Sequence, residues 1–388
     1  MNSKFANIPI PFFRNLPSVK SNSIDASAGA NLAGIVLERV SVNEWDSMAN
    51  LFFDIIPEQT GIFNTSHWGD EYIECVKILQ YGKLLGGAVL LVRKIPCSPT
   101  GLAVLKWGPV WRTDVSNLEI KQYRIVIQAL IEEYCTNRNY HLTIMPLAVP
   151  EVSDDMCCEL KKIGFQTGKS WAAPERYIVN TNQTLDQLMA SLNQKWRYNL
   201  RKANKNEFKI EFVDDNQGLE KFLSLYDSMI ERKQFLDSSA IGSLRKIMND
   251  GAGGVRPKIV LVSHDGVVTA GGVFSIIGDM AVYMFGATDE RALALKAGYA
   301  MHWWVAEYLC NSKSTIWYDL GGNDLDAGLH QFKKGFVGKT GHILQTPPRY
   351  HYAASVTAKF TGNAIFYLRD VKNNATRMLH QIKQKFGK

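Results

Sequence analysis

The chain has 388 residues, 46% of them hydrophobic and 21% charged, with a net charge of +7 and six cysteines. This balance excludes a largely disordered chain, and no stretch of about 18 apolar residues is present to span a membrane. The length predicts two or three domains, and the positive charge points to an anionic partner: phosphate, nucleic acid or acidic lipid.

Residues 1–30 are rich in Ser, Asn and Pro and read as a loosely held arm. They lack the apolar run of a signal peptide. No cysteine pair has metal-ligand spacing, and the cysteine usage is that of a reduced, cytosolic protein. A strand, "GIVLERV", is followed by helical patterns over 42–53 and 68–80. Strands follow at 84–95 and 101–110, then an amphipathic helix over 116–138, a strand at 141–147 and a short helix. Residues 175–180 open a second run with a strand. The spacing of Leu185, Leu188, Met189, Leu192, Trp196 and Leu200 predicts one helix over 184–203. Thr184 and Gln187 form its capping box. A strand at 208–213 and helices from Leu219 and Ala240 lead to three strands, 258–264, 267–277 and 280–287. Their turns, Asp265-Gly266 and Gly278-Asp279, have hairpin chemistry. A helix over 293–310 and a strand at 315–320 close the run. A basic amphipathic helix ends the chain.

The same order of elements thus occurs twice. It predicts an α/β (α+β) protein of two like domains made by duplication, each a mixed, largely antiparallel sheet flanked by helices. The expected boundaries are 1–30 for the arm, 31–170 for the first domain, 171–345 for the second and 346–388 for the C-terminal segment. That last segment is a candidate to complete the first domain.

Three segments could carry chemistry. On "KWRYNLRKANK", Lys195, Arg197, Arg201, Lys202 and Lys205 lie opposite Trp196 and Leu200. They form either a phosphate-gripping face or a solvated one. In "YMFGATDERALALKAGYA" a strand runs through a turn into a helix, whose free amides can bind anionic oxygens. The N-acetyltransferase loop Q/R-x-x-G-x-G/A is matched there by Gly298 and Ala300, but Leu295, beside Lys296, occupies its first position. In "WYDLGGNDLDAGLHQFKKGFVG", Asp319 ends a strand and Gly321-Gly322 allows close backbone approach. Lys333 and Lys334 diverge if the segment is helical, so one of them can face a cleft as an oxyanion donor. Asp324 and Asp326 read as helix caps, and His302 and His330 as packed or solvated. No P-loop, H-E-x-x-H or G-x-S-x-G pattern occurs.

Together these segments resemble the Fem family, the FemABX-type peptidyltransferases that add amino acids to peptidoglycan precursors, and their kin with tandem GNAT-like domains. The likeness spans about 40–345. It rests on "LKWGPVW", "KWRYNLRKANKNEFKIEFV", "YMFGATDE" and, most specifically, "WYDLGGN" followed by "GLHQFKKGFVG". It implies two tandem GNAT-like domains of the compact type, because 205–266 has no room for a coiled-coil arm. It also implies that Lys333 is catalytic and stabilises the transferring acyl carbonyl. Tyr283 would line the acceptor channel. Asp319, Gly321, Gly322, Phe332, Trp107, Arg197 and Arg201 would complete the substrate-binding set. Trp107 stands where the family has an arginine before G-P-V, and Trp111-Arg112 stand where an acidic residue often follows. Both changes point away from the usual cell-wall nucleotide acceptor.

The implied activity is N-acyl transfer to an amine of a cell-envelope precursor, a peptidoglycan peptide or a polysaccharide amino sugar. No metal and no tightly bound cofactor is expected. The co-substrate would be an anionic donor, aminoacyl-tRNA or acyl-CoA, and DNA is not an expected partner. The alternatives are an acyl-CoA-dependent acetyltransferase of exopolysaccharide synthesis and a catalytically silent glycan-binding scaffold. The expected location is the cytoplasm, with a peripheral contact of the basic C-terminal helix with the inner face of the membrane as a further option.

Overall fold

One order of strand pairing occurs twice in the computed structural model, which describes residues 32–114, 118–169, 175–233, 240–251, 253–322 and 326–386. The arm, Ser116 and Asp324 lie outside these residues. The first run holds strands β1 (Ile35–Val40), β2 (Ile73–Gln80), β3 (Lys83–Lys94), β4 (Gly101–Lys106), β5 (Tyr140–Met145) and β6 (Gln166–Thr167). Its helices are α1 (Val42–Met48), α2 (Gly61–Trp68), α3 (Ile120–Ile131) and α4 (Ser153–Ile163). The second run holds β7 (Glu175–Asn180), β8 (Lys209–Val213), β9 (Lys258–His264), β10 (Val267–Ile277), β11 (Met280–Thr288), β12 (Trp317–Asp319) and β13 (His342–Gln345). Its helices are α5 (Leu185–Ser191), α6 (Gln194–Ala203), α7 (Asn216–Lys233), α8 (Leu244–Asp250), α9 (Ala292–Leu295), α10 (Ala297–Ser312) and α11 (Ala327–Val337). Strand β14 (Tyr350–Tyr352) and helix α12 (Val356–Phe386) follow.

The sheets are ordered β1-β2-β3-β4-β5-β14-β6 and β8-β9-β10-β11-β12-β7-β13. Each is antiparallel except for one parallel pair, β4 with β5 and β11 with β12. The fold class expected from the sequence therefore holds: two mixed, mostly antiparallel sheets flanked by helices, with a C-terminal helix. Each sheet is completed by one strand inserted out of chain order. β14 inserts between β5 and β6, and β7 inserts between β12 and β13.

Apolar residues cover both faces of each sheet. Tyr123, Val126, Ile127 and Leu130 of α3 pack on one face of the first sheet, and Trp45 and Ile62 of α1 and α2 on the other. In the second sheet α5, α6, α10 and α11 share one core and α7 and α8 the other.

The structure corrects three expected elements. Residues 73–80 are strand β2, and the helix before it ends at Trp68. Val76 and Ile78 of β2 enter one core and Cys75 the other. A strand covered on both faces loses its polar alternation, so its period is hidden. The helix expected over 184–203 is two helices, broken at Leu192 and Asn193. Asn193 caps α6 by accepting from the Lys195 N–H, and its own N–H donates to the Gly335 carbonyl of α11. The Thr184–Gln187 capping box forms in both directions. The helix expected over 293–310 breaks at Lys296, which adopts φ 61°. There Asn206 Nδ2 donates to the Leu295 carbonyl at 2.9 Å.

The two halves meet at the β10–β11 turn. Gly278 lies so close to the first half that a Cβ there would sit 2.6 Å from the Phe53 carbonyl oxygen. Asp279 N–H donates to that same oxygen at 2.7 Å, and its carboxylate accepts from Arg112 Nη1 at 2.6 Å. Both side chains of the pair are buried. Asp54 accepts from the Trp111 and Arg112 backbone N–H groups, and burial pushes its carboxyl up to about 7 against those bonds. Ile178, Met280, Val282 and Trp317 of the second half join the core of the first.

Removing one member of a buried pair strands the other charge without compensation. Asp279→Ala should therefore lower the unfolding free energy by about 3–5 kcal/mol, measured by denaturant titration. A change near zero would show that apolar packing alone holds this interface.

Candidate active site

Helix α11 brings the site together. Asp326 caps it by accepting from the Leu329 N–H at 2.7 Å. Phe332 and Phe336, four residues apart, point the same way. Phe336 stacks on Trp196 at 4.4 Å with the planes 8° apart, and Phe332 meets Tyr299 edge-on at 4.8 Å. Those contacts turn the next residue, Lys333, toward the sheet, where it is 5% exposed, while Lys334 faces outward.

Lys333 Nζ donates to the Gly322 carbonyl. The segment it holds is fixed from the other side by Asp319, whose Oδ1 accepts from the Gly321 N–H at 2.7 Å. The second oxygen of Asp319 accepts from Arg176 Nε at 3.0 Å and from Nη2. Arg176 in turn lies over the buried Trp107 ring, 5.3 Å from its centroid. Trp107 belongs to the loop after β4, and its N–H donates to the Met145 carbonyl. A chain of contacts therefore runs from the first half through Trp107, Arg176 and Asp319 to the 321–322 segment and Lys333.

Beside Lys333 lies a buried aromatic cluster. His302 Nδ1 is 2.6 Å from the Tyr318 hydroxyl. Its ring meets Tyr283 edge-on at 4.7 Å and Phe332 at 5.4 Å. Burial, and after it the Lys333 ammonium, pull His302 down to about 3, so its imidazole is neutral at pH 7. Burial raises the Tyr283 and Tyr318 hydroxyls above their ordinary range, so both are protonated there.

One turn before Lys333, His330 forms a second polar group. The Tyr177 hydroxyl donates to Glu175 Oε2 at 2.6 Å and also contacts His330 Nδ1. Its single proton serves the carboxylate, so His330 Nδ1 is the donor in the second contact. In the neutral ring that leaves Nε2 as the acceptor nitrogen.

The structure thus gathers Lys333, Asp319, Gly321, Gly322, Tyr283 and Phe332 around the ends of β12 and α11. Trp107 reaches them through Arg176. Arg197 and Arg201 stay outside this cluster on α6. Arg197 donates to the Ala190 carbonyl, and Arg201 is exposed with Lys202 and Lys205. That basic face leads to the start of α10, since Asn206 reaches Leu295 and Asn199 Nδ2 donates to the Tyr299 hydroxyl. A Cβ at Gly298 would meet nothing within 4 Å, so the helix surface is open at that residue.

Arg176, Tyr318, Glu175 and Tyr177 are the neighbours that the sequence reading did not name, and His330, read there as packed or solvated, contacts Tyr177. Only their places on β7, β12 and α11, far apart in the chain, make them neighbours. The alternation of Glu175 and Tyr177 was the one available signal that these two share a face of β7. Among the described residues no group of three or more His, Cys, Asp or Glu is placed to hold a metal ion.

The Lys333–His302 proximity can be checked directly. Lys333→Met should let His302 titrate nearer its ordinary value while staying below it, because burial, the larger cause, remains. NMR titration of the imidazole reads this. An unchanged His302 would mean that the ammonium does not reach it.

The FemAB family model matches residues 258–359. That stretch contains Tyr283, His302, Tyr318, Asp319, Gly321, Gly322, His330 and Lys333. No curated protein matches the sequence. Among solved structures, FemX superposes with a TM-score of 0.65 at 18% identity, covering 82% of this chain and 97% of its own. The C-terminal domain of a protein described as a lysylphosphatidylglycerol synthetase of Agrobacterium fabrum gives 0.54 at 11% identity, covering 84% and 97%. In residues 258–359 the chain matches the FemAB family, and as a whole it has the fold of FemX.

Proposed function

We propose that this protein is an N-acyltransferase that moves an aminoacyl or acyl group from an activated donor to an amine of a cell-envelope precursor. The observation that carries this reading is the buried Lys333 ammonium. It is held against the Gly322 carbonyl inside the segment that matches the FemAB family.

The chemistry follows from the donors present. The amine nitrogen attacks the acyl carbon, a C–N bond forms, and the carbonyl oxygen becomes an oxyanion. An ammonium carries three N–H donors, and one that leaves Gly322 for the acyl oxygen is already oriented by the fold. Such preorganised donors commonly provide the largest share of acceleration. As the tetrahedral intermediate collapses, the bond to the donor's oxygen or sulfur breaks. The proton lost by the amine passes to His330 Nε2 and then to the leaving group. Tyr177 and Glu175 hold the tautomer that this step needs.

The donor is an anion carrying phosphates. Aminoacyl-tRNA fits the FemAB match and the exposed Lys195, Arg201, Lys202 and Lys205 of α6. Acyl-CoA is favoured by the open surface at Gly298 near the start of α10, where a helix N-terminus can meet a phosphate oxygen. On the acceptor side, Trp107 is buried beneath Arg176 and adds no charge of its own. This supports an acceptor other than the usual cell-wall nucleotide.

Lys333→Ala should lower turnover by about a hundredfold at every pH. His330→Ala should also lower turnover, because it takes away the proposed base. Unchanged turnover in Lys333→Ala, with purified substrates, would remove the oxyanion role. Calorimetric titration of the protein with charged tRNA and with acetyl-CoA should give saturable heat with one of them. Saturation by acetyl-CoA alone would exclude the tRNA donor.

A further inference from the structure

Over residues 356–372 helix α12 has two apolar faces, and the described residues cover only one. On the covered face Ala358, Gly362 and Phe366 are buried. Gly362 fits so closely that a Cβ would fall 2.2 Å from the His141 ring of β5. Phe366 packs 5.0 Å from His351, and Asp370 pairs with the buried Arg349 at 2.9 Å. This face is finished by docking.

At 3.6 residues per turn, Val356, Phe360, Ala364, Tyr367, Leu368 and Val371 fall on the opposite side. Val356 is 84% exposed, Phe360 76%, Tyr367 70% and Leu368 65%. They are consecutive members of one helical stripe, which distinguishes them from scattered surface apolars. Beyond Lys372 the sequence keeps the spacing with Ala375, Met378, Leu379, Ile382 and Phe386.

The charge of the helix decides what covers this stripe. From 356 to 388 the chain has seven Lys and Arg against one acidic residue, Asp370. That is a net +6 of the whole chain's +7, and the single acid is spent on Arg349. A second copy would bring the same +6 against this +6. An anionic bilayer offers both an apolar interior for the aromatic stripe and negative headgroups for the flanking cations.

We propose that α12 is a surface anchor. Its Phe360–Tyr367–Leu368 stripe lies in the headgroup boundary of an anionic membrane while its opposite face stays docked on β5. The inference is independent of the acyl-transfer reading, since none of these residues belongs to the Lys333 cluster.

The test is flotation of the full chain with phosphatidylcholine vesicles, with and without phosphatidylglycerol. Binding is expected only with phosphatidylglycerol and should weaken as salt screens the headgroups. The triple variant Phe360→Ser, Tyr367→Ser, Leu368→Ser should lose at least about tenfold in partition with unchanged thermal unfolding, because it leaves the docked face intact. Lys359→Gln and Lys372→Gln should each weaken binding about fivefold. Equal flotation on neutral vesicles would overturn the electrostatic part. Absence of flotation would overturn the anchor, and a stripe-dependent dimer in sedimentation would then assign the face to a second copy.

Discussion

The buried contact between Arg112 and Asp279 is the constraint on which the rest of the architecture depends. It joins the tip of a hairpin in the second half to the segment after "WGPV" in the first. Two ions leave water for this contact, which is tolerable only when geometry and further hydrogen bonds offset the desolvation. The further bonds are present: the Phe53 carbonyl receives the Asp279 N–H, and the Asp54 carboxyl receives two backbone N–H groups. Around this polar center the core of the first half takes in Ile178, Met280, Val282 and Trp317. The apolar term supplies strength and the ion pair supplies register.

With that register set, Trp107 arrives over Arg176 and Arg176 over Asp319. The 321–322 segment is thus pinned between a carboxylate tied to the first half and an ammonium carried by α11. Lys333 is a buried lysine of the second half. Here the Gly322 carbonyl holds the ammonium, and His302 is the group that gives way, driven down to about 3 by burial and by that same charge. A fixed cation in a low-dielectric setting is what an oxyanion donor requires.

The two sheets are completed alike: β7, which opens the second run, inserts between β12 and β13, and β14, which follows that run, returns to insert between β5 and β6 of the first sheet. Helix α12 is the direct continuation of that return. Its docked face is therefore anchored to the first sheet, and Val356, Phe360, Tyr367 and Leu368 on its other face are exposed among the described residues. Residues 356–388 carry +6 of the net charge of +7, so the rest of the chain is close to neutral.

Much was legible in the sequence. Strands β9, β10 and β11 follow from their apolar runs and from the Asp265-Gly266 and Gly278-Asp279 turns. The capping box at Thr184, the cap at Asp326 and the burial of Trp196 and Leu200 follow from local spacing. These features depend on residues within a few positions of one another, so period and turn chemistry determine them. Tertiary structure decided the rest. It made 73–80 a strand, because two neighboring strands claim that segment. It broke 184–203 at Asn193, because Gly335 accepts its N–H. It also gave Lys333 its partners, His302 its missing charge and His330 its tautomer. Each of these rests on groups brought together from distant parts of the chain, and only the packed fold supplies that proximity.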